Sequence, residues 1–131
     1  MSGLRTPLAR ARGMGSAKHG VGHFIAQRTT AAALVILVLW GVSAALRLRS
    51  GDYDLAAAWL HSPINLGFAA LLALAAFWHM SLGMRTVIED YIGRPSTKAI
   101  LLILNVFVCW GGAALTILSL LKVALGAGVS I

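Results

Sequence analysis

Charged residues divide the chain into three long apolar stretches. The uncharged stretches contain 18, 30 and 23 residues and lie at 29–46, 55–84 and 99–121. A helix needs about 20 mainly apolar residues to cross the hydrocarbon core of a bilayer, and flanking arginines can extend a short span. The second stretch exceeds one span, so its first part is predicted to lie at the interface, with Pro63 opening the next helix. The pattern predicts three transmembrane helices, near 24–48, 63–89 and 98–123.

The composition supports a membrane location for the whole chain. Of its 131 residues, 59% are hydrophobic and 11% are charged, against roughly 45–50% and 25% in ordinary soluble domains. A soluble domain of this size could not remove so many apolar side chains from water. The single cysteine, Cys109, excludes an internal disulfide. We therefore expect an all-α integral membrane protein, and not a soluble enzyme, a disordered tail or a disulfide-stapled secreted domain.

The distribution of lysine and arginine predicts the orientation of the chain. Eight of these cations precede or open the first helix or lie near the loop between the second and third: Arg5, Arg10, Arg12, Lys18, Arg28, Arg85, Arg94 and Lys98. The opposite side has three, Arg47, Arg49 and Lys122. The positive-inside rule then places the N-terminus in the cytoplasm and the C-terminus outside. The net charge of +7 is thus a signal of topology and lipid contact, and not of nucleic-acid binding.

We divide the chain into a basic cytoplasmic arm, residues 1–23, and a single membrane domain, residues 24–131. The arm is rich in glycine, serine and arginine. A cleaved signal peptide is a competing interpretation of the first apolar stretch. Such a leader would be unusually long, and Arg47 and Arg49 would follow its cleavage site closely, so a retained helix is favoured.

His79 is the only ionisable side chain well inside a predicted span. It lies six positions before Arg85, which places it about 9 Å below the cytoplasmic flank at 1.5 Å per residue. Ionisable groups inside a bilayer are costly, so His79 is a candidate functional residue. Gly83 is one turn further on the same face, and an imidazole beside such a gap is what an axial haem ligand requires. A structural interpretation stays open, in which His79 forms an interhelical hydrogen bond and Gly83 is a packing contact.

A haem at His79 would need its other ligand from a partner chain. His23 lies at the start of the first helix and His61 just before the second, so neither is expected at the depth of His79. Arg28 opens the first helix on the cytoplasmic side, where its guanidinium could pair with a haem propionate or with a lipid phosphate.

The second helix ends in Asp90 and Tyr91, at headgroup depth. Asp90 is eleven positions after His79, which at 100° per residue brings it about 20° from the same helical face. A phenol beside a carboxylate could bind a quinone carbonyl and relay protons to it. The pair has a simpler interpretation as well, because tyrosine is enriched at membrane interfaces and Glu89 and Asp90 could belong to a solvated charge cluster.

Two motifs give the chain a resemblance to the hydrophobic membrane anchor of succinate dehydrogenase, respiratory complex II, and more narrowly to the smaller anchor of bacterial enzymes. The first motif runs from Gly22 to Ala31, at the start of the first helix. The second and more specific one runs from His79 to Tyr91 and reads H-x-x-x-G-M-R-x-V-I-E-D-Y. The resemblance covers about residues 15–125 and agrees with three spans and a cytoplasmic N-terminus.

The resemblance implies a role for each matching residue. His79 matches the axial ligand of a haem b held between two anchor subunits, which would supply one ligand each. Tyr91 matches the tyrosine that hydrogen-bonds ubiquinone, and Asp90 matches its acidic neighbour. Arg28 matches an arginine near the haem and quinone region.

The resemblance also implies partners and a location. The chain would pack as a helical bundle against a larger cytochrome b anchor and dock a flavoprotein subunit and an iron–sulfur subunit at the bacterial cytoplasmic membrane. It would catalyse nothing alone, since it has no flavin motif and no cysteine cluster. Two alternatives remain, the anchor of a quinol:fumarate reductase and a structural membrane protein without cofactor. A small multidrug-type transporter is disfavoured, because no carboxylate lies within a span to couple to protons.

Overall fold

The computed structural model describes residues 6–8, 13 and 20–126 of the chain. No strand is present among these residues. The helices are α1 (Gly20–Arg47), α2 (Tyr53–Leu60), α3 (Pro63–Tyr91) and α4 (Pro95–Ala124). Three of them, α1, α3 and α4, are long and apolar enough to cross a membrane. The predicted all-α architecture with three spans is confirmed. The predicted arm, residues 1–23, lies mostly outside the described residues.

Prolines define where α3 and α4 begin. Pro63 and Pro95 each occupy the first turn of their helix, after Ser62 and Arg94 as capping residues. Proline suits this position because its missing N–H would have no partner within the helix. The prediction that Pro63 opens a helix is confirmed. Helix α4 begins three residues before the predicted position, because a charge-free stretch marks the hydrocarbon core and not the turns at headgroup depth.

Helix α1 also begins earlier than predicted. It starts at Gly20 instead of near residue 24, and it ends at Arg47. The extra turn holds Gly22 and His23, which lie before the long apolar run on which the prediction was based. A helix can extend beyond the hydrocarbon core wherever water or headgroups can satisfy its free N–H groups.

The central helix is α3, which packs against α1 on one side and against α4 on the other, whereas the backbones of α1 and α4 do not approach each other closely. The α3–α4 interface is built from small residues: Cys109 and Ala113 are each 2% exposed. Between them in sequence, Gly112 lies against the ring of Phe77. Small residues let helix backbones approach closely, which matters in a bilayer because lipid provides little hydrophobic force between helices.

A buried polar contact also joins α3 to α4. The amide Nδ2 of Asn105 donates a hydrogen bond to the Ser81 carbonyl oxygen at 2.9 Å and lies 3.5 Å from the Ser81 hydroxyl. The Cys109 thiol donates to Asn105 Oδ1 at 3.3 Å. Because an unpaired amide inside a bilayer is costly, this chain of contacts fixes how the two helices align.

Aromatic rings join α1, α2 and α3. Trp40 of α1 stacks on Trp59 of α2 with ring centroids 5.5 Å apart, and it meets Phe68 of α3 at 5.3 Å. Helix α2 begins after Asp52, whose carboxylate accepts a hydrogen bond from the Asp54 N–H at 2.9 Å. The predicted interfacial segment is therefore a short capped helix held against the spans by stacked rings.

The outer faces of the three spans remain apolar and uncovered. Large side chains such as Ile36, Ile64 and Phe107 are each about 70% exposed. Exposed apolar surface of this extent is normal for a chain surrounded by lipid or by other membrane subunits. Packing against a second anchor stays a prediction.

Candidate functional site

His79 lies on the face of α3 that packs against α1, where its ring contacts a buried threonine. Its Nδ1 atom is 3.0 Å from Oγ1 of Thr30, a residue that is only 5% exposed. The same oxygen is 2.8 Å from the Ala26 carbonyl oxygen and 3.1 Å from the Gln27 carbonyl oxygen. The interhelical hydrogen bond considered for His79 is therefore present. It involves Nδ1, and Nε2 takes no part in it.

A cavity of about 520 Å³, which we call the His79 cavity, is lined by α1 and α3 and is open to the protein surface. Three of the predicted site residues, Arg28, His79 and Gly83, line it together. Gly83 has no side chain to enter the cavity. A Cβ atom added at this position would meet only Gln27 Nε2, at 3.8 Å. Gly83 thus leaves space beside the imidazole, and its role at a haem stays a prediction.

Polar atoms without partners lie around this cavity. Within the described residues, His23 Nε2 and Gln27 Oε1 are buried and have no hydrogen-bond partner. Both residues line the His79 cavity. Buried polar atoms are seldom left unpaired, and water, a bound group or a second chain would satisfy these two. The guanidinium of Arg28 lies 5.3 Å from the centre of the Phe24 ring, and both residues line the cavity.

Tyr91 belongs to a different surface. It lines an apolar groove of about 380 Å³ between α3 and α4, the Tyr91 groove, together with residues such as Met84 and Leu104. Its side chain is 81% exposed. Val87 lines both the groove and the His79 cavity, so the two spaces are neighbours on α3.

The charged residues at the end of α3 separate into two kinds. Glu89 forms an ion pair with Arg85 at 2.8 Å, and its backbone carbonyl accepts a hydrogen bond from Lys98 Nζ at 2.8 Å. Asp90 is exposed, and its carboxylate has no partner in the described part of the chain. Asp90 lines neither the His79 cavity nor the Tyr91 groove. Glu89 is thus ion-paired and Asp90 is an exposed carboxylate, so the solvated charge-cluster interpretation stays open for both residues.

Sequence reasoning gave no role to three residues of this site: Thr30, Gln27 and His23. His23 was expected away from the depth of His79; it precedes Thr30, the partner of His79, by seven positions and lines the same cavity. The signal that could have found these residues is their spacing, since positions 23, 27 and 30 lie on one face of a helix. What the spacing could not show is that this face turns toward His79.

Comparison with known proteins places the whole membrane region in one family. Residues 2–125 match the family model for the succinate dehydrogenase/fumarate reductase transmembrane subunit. The chain is 35% identical over 100 residues to the succinate dehydrogenase hydrophobic membrane anchor subunit of Rickettsia bellii, covering 76% of this chain and 80% of that protein. The protein of the same name from Rickettsia conorii is 30% identical over 107 residues, 81% of this chain and 85% of the relative. Its namesake from Paracoccus denitrificans is 29% identical over 122 residues, 93% and 94% of the two chains.

Proposed function

This chain belongs to the family of succinate dehydrogenase/fumarate reductase transmembrane subunits, and from that premise we propose that it anchors a succinate:ubiquinone oxidoreductase in the bacterial cytoplasmic membrane. Its partners are a flavoprotein subunit, an iron–sulfur subunit and a larger cytochrome b anchor. Electrons from succinate reach ubiquinone at a site to which this chain contributes. The N-terminus faces the cytoplasm, in accordance with the excess of lysine and arginine on that side.

The observation that carries the proposal is the environment of His79. Its ring has one nitrogen occupied by Thr30 and the other free, beside the space left by Gly83. A free imidazole nitrogen facing a gap suits an axial haem ligand, and the unpaired atoms of His23 and Gln27 suit a polar bound group. In this proposal His79 would ligate a haem b and Arg28 would pair with a propionate, and the partner anchor would supply the other ligand. When bound, haem b supplies a one-electron redox centre inside the bilayer.

Tyr91 and Asp90 form this chain's part of the ubiquinone site. The Tyr91 phenol donates a hydrogen bond to a quinone carbonyl, and the Asp90 carboxylate accepts and returns protons at the membrane surface. The high exposure of Tyr91 and the unpaired carboxylate of Asp90 support this role, because both groups are available to a ligand. The Tyr91 groove is apolar enough to contact a quinone ring or its tail.

The experiment that tests the haem assignment is a reduced-minus-oxidised optical spectrum of the complex purified through a tag on this chain. His79→Ala should abolish a low-spin haem b signal while flavin still co-purifies. His61→Ala is the matched control, because His61 is exposed at the end of α2 and does not line the His79 cavity. A haem signal that survives in His79→Ala, or that is absent from the unaltered complex, would contradict the assignment.

The fumarate reductase half of the family gives the alternative direction of turnover. We favour succinate oxidation, since the three relatives compared above are all named as succinate dehydrogenase subunits. Membranes that contain the complex should reduce ubiquinone with succinate faster than they reduce fumarate with a quinol. The reverse ratio would assign the anchor to a quinol:fumarate reductase.

A further inference from the structure

We propose that Thr30 is a positioning residue that holds His79 in the tautomer with its proton on Nδ1, so that Nε2 is the ring nitrogen open to the haem iron. This inference rests on the proposed haem site. It concerns a residue of α1, 49 positions from His79 in the chain, that does not itself line the cavity.

The proton count around the Thr30 hydroxyl gives the direction of its contact with His79. Oγ1 has three neighbours: the Ala26 carbonyl oxygen at 2.8 Å, the Gln27 carbonyl oxygen at 3.1 Å and His79 Nδ1 at 3.0 Å. A hydroxyl has one proton to donate, and carbonyl oxygens can only accept. The short distance to Ala26 indicates that the hydroxyl donates this proton to the Ala26 carbonyl oxygen, a bond that threonine commonly forms within helices.

In the contact with His79, Nδ1 therefore has to donate and Thr30 Oγ1 has to accept. If Thr30 donated to Nδ1, its oxygen would lie 2.8 Å from the Ala26 oxygen with no proton between them. That arrangement sets lone pair against lone pair in a buried site. With the Ala26 bond kept, Oγ1 offers a lone pair, and Nδ1 has to carry the proton that it donates.

The consequence for Nε2 follows from imidazole chemistry. A neutral imidazole has one protonated and one unprotonated nitrogen, so a proton on Nδ1 leaves a lone pair on Nε2. The described residues offer Nε2 no hydrogen-bond partner, and His79 lines the cavity kept open by Gly83. Ligating histidines commonly donate their other N–H to an acceptor, which fixes the ring and makes it a stronger ligand.

A packing role alone would have a different signature. If the Thr30–His79 bond only joins α1 to α3, its loss should weaken assembly and leave the haem of the assembled complex unchanged. If the bond sets the tautomer and basicity of the ligand, its loss should change the haem itself. A less basic imidazole stabilises ferric iron less, so the midpoint potential of the haem should rise.

The test compares three variants of the purified complex by haem content per flavin and by a redox titration of the optical spectrum. Thr30→Val removes the acceptor at nearly constant volume, and Thr30→Ser restores it. Thr29→Val is the matched control, because Thr29 is exposed one position earlier and has no hydrogen bond of its side chain. We expect Thr30→Val to weaken haem retention roughly tenfold or more and to raise the midpoint potential. Thr30→Ser and Thr29→Val should keep the values of the unaltered complex.

Each outcome decides one point. Wild-type haem content and potential in Thr30→Val would overturn the inference, while loss of haem in His79→Ala would still support the proposed function. Retention of haem in both variants would instead remove the proposed ligation of haem by His79, on which the inference rests. Should Thr30→Val fail to assemble, Thr30→Cys replaces it, because a thiol is a weaker acceptor than a hydroxyl. Its potential should then lie above that of Thr30→Ser, and equal potentials for the two would overturn the inference.

Discussion

Replacing Gly112 by alanine should weaken the contact between α3 and α4. A Cβ atom at Gly112 would lie 2.6 Å from Cε1, 2.9 Å from Cζ and 3.3 Å from Cδ1 of the Phe77 ring. The ring would have to withdraw by about 1 Å to restore ordinary carbon–carbon contact. It would move at an interface where Cys109 and Ala113 are almost completely buried.

The loss of helix association is set by the cost of the clash and by how far alanine's higher helix propensity offsets it. Overpacking of a close-packed interface costs about 1–3 kcal/mol. In water, alanine would regain roughly 1 kcal/mol over glycine through helix propensity. Within a bilayer the separated helices remain helical, because their backbone groups have no other partners, so this gain is largely absent. Most of the cost should therefore appear as weaker association of α3 with α4.

Gly111 provides the matched control for this substitution. An added Cβ at Gly111 meets nothing within 4 Å, although the residue is adjacent in the same helix. We would heat the detergent-solubilised complex with a fluorescent tag on this chain and follow, by size-exclusion chromatography, the temperature at which half of the chain leaves the complex. Gly112→Ala should lower this temperature, and Gly111→Ala should not.

The role of the aromatic ring can be isolated by a double-mutant cycle. In a Phe77→Leu background the rigid ring is gone, so Gly112→Ala should cost much less than it does beside phenylalanine. Equal midpoints for Gly112→Ala and Gly111→Ala, or an equal cost in both backgrounds, would refute the packing argument.

Two further predictions concern the proposed ubiquinone and haem sites. Tyr91→Phe should lower kcat/KM for ubiquinone roughly 3- to 10-fold, which corresponds to the loss of one hydrogen bond to a neutral acceptor, and should leave the haem spectrum unchanged. Tyr53→Phe, the control on α2, should keep the kcat/KM of the unaltered complex. A normal kcat/KM in Tyr91→Phe would remove Tyr91 from the quinone site. Gly83→Leu should fill the space beside His79 and abolish haem binding, whereas Gly83→Ala, which meets only one side-chain atom at 3.8 Å, should retain it. Haem in Gly83→Leu, seen in the same optical spectrum, would show that the His79 cavity is not the haem site.

The number of spans could be predicted from the sequence because the bilayer imposes a simple rule. A span has to be long, uncharged and helical, so gaps between charges locate it without knowledge of packing. Helix ends follow other causes, such as Pro95 at the first turn of α4, and these lie outside the apolar stretches. Helix α2 is short and depends on its Asp52 cap and on the stacking of Trp59.

The neighbours of each face of α3 could not be predicted in the same way. In a soluble helix an apolar stripe marks the buried side, but a transmembrane helix is apolar all round and carries no such mark. The sequence therefore identified His79 and Gly83 on one face without showing that α1 covers it. Thr30 gave no sign of its contact, since a threonine in a helix usually bonds only its own backbone.

The distance between the two proposed sites depends on this chain alone. His79 bonds to Thr30 of α1, whereas Tyr91 lines a groove between α3 and α4, so the two residues lie beside different helices. Both residues belong to α3, which runs unbroken from Pro63 to Tyr91 with no proline after its first turn. Twelve helical positions correspond to about 18 Å along the axis. The rise of one continuous helix thus fixes the separation of the two proposed sites along the helix axis, whichever chain completes them.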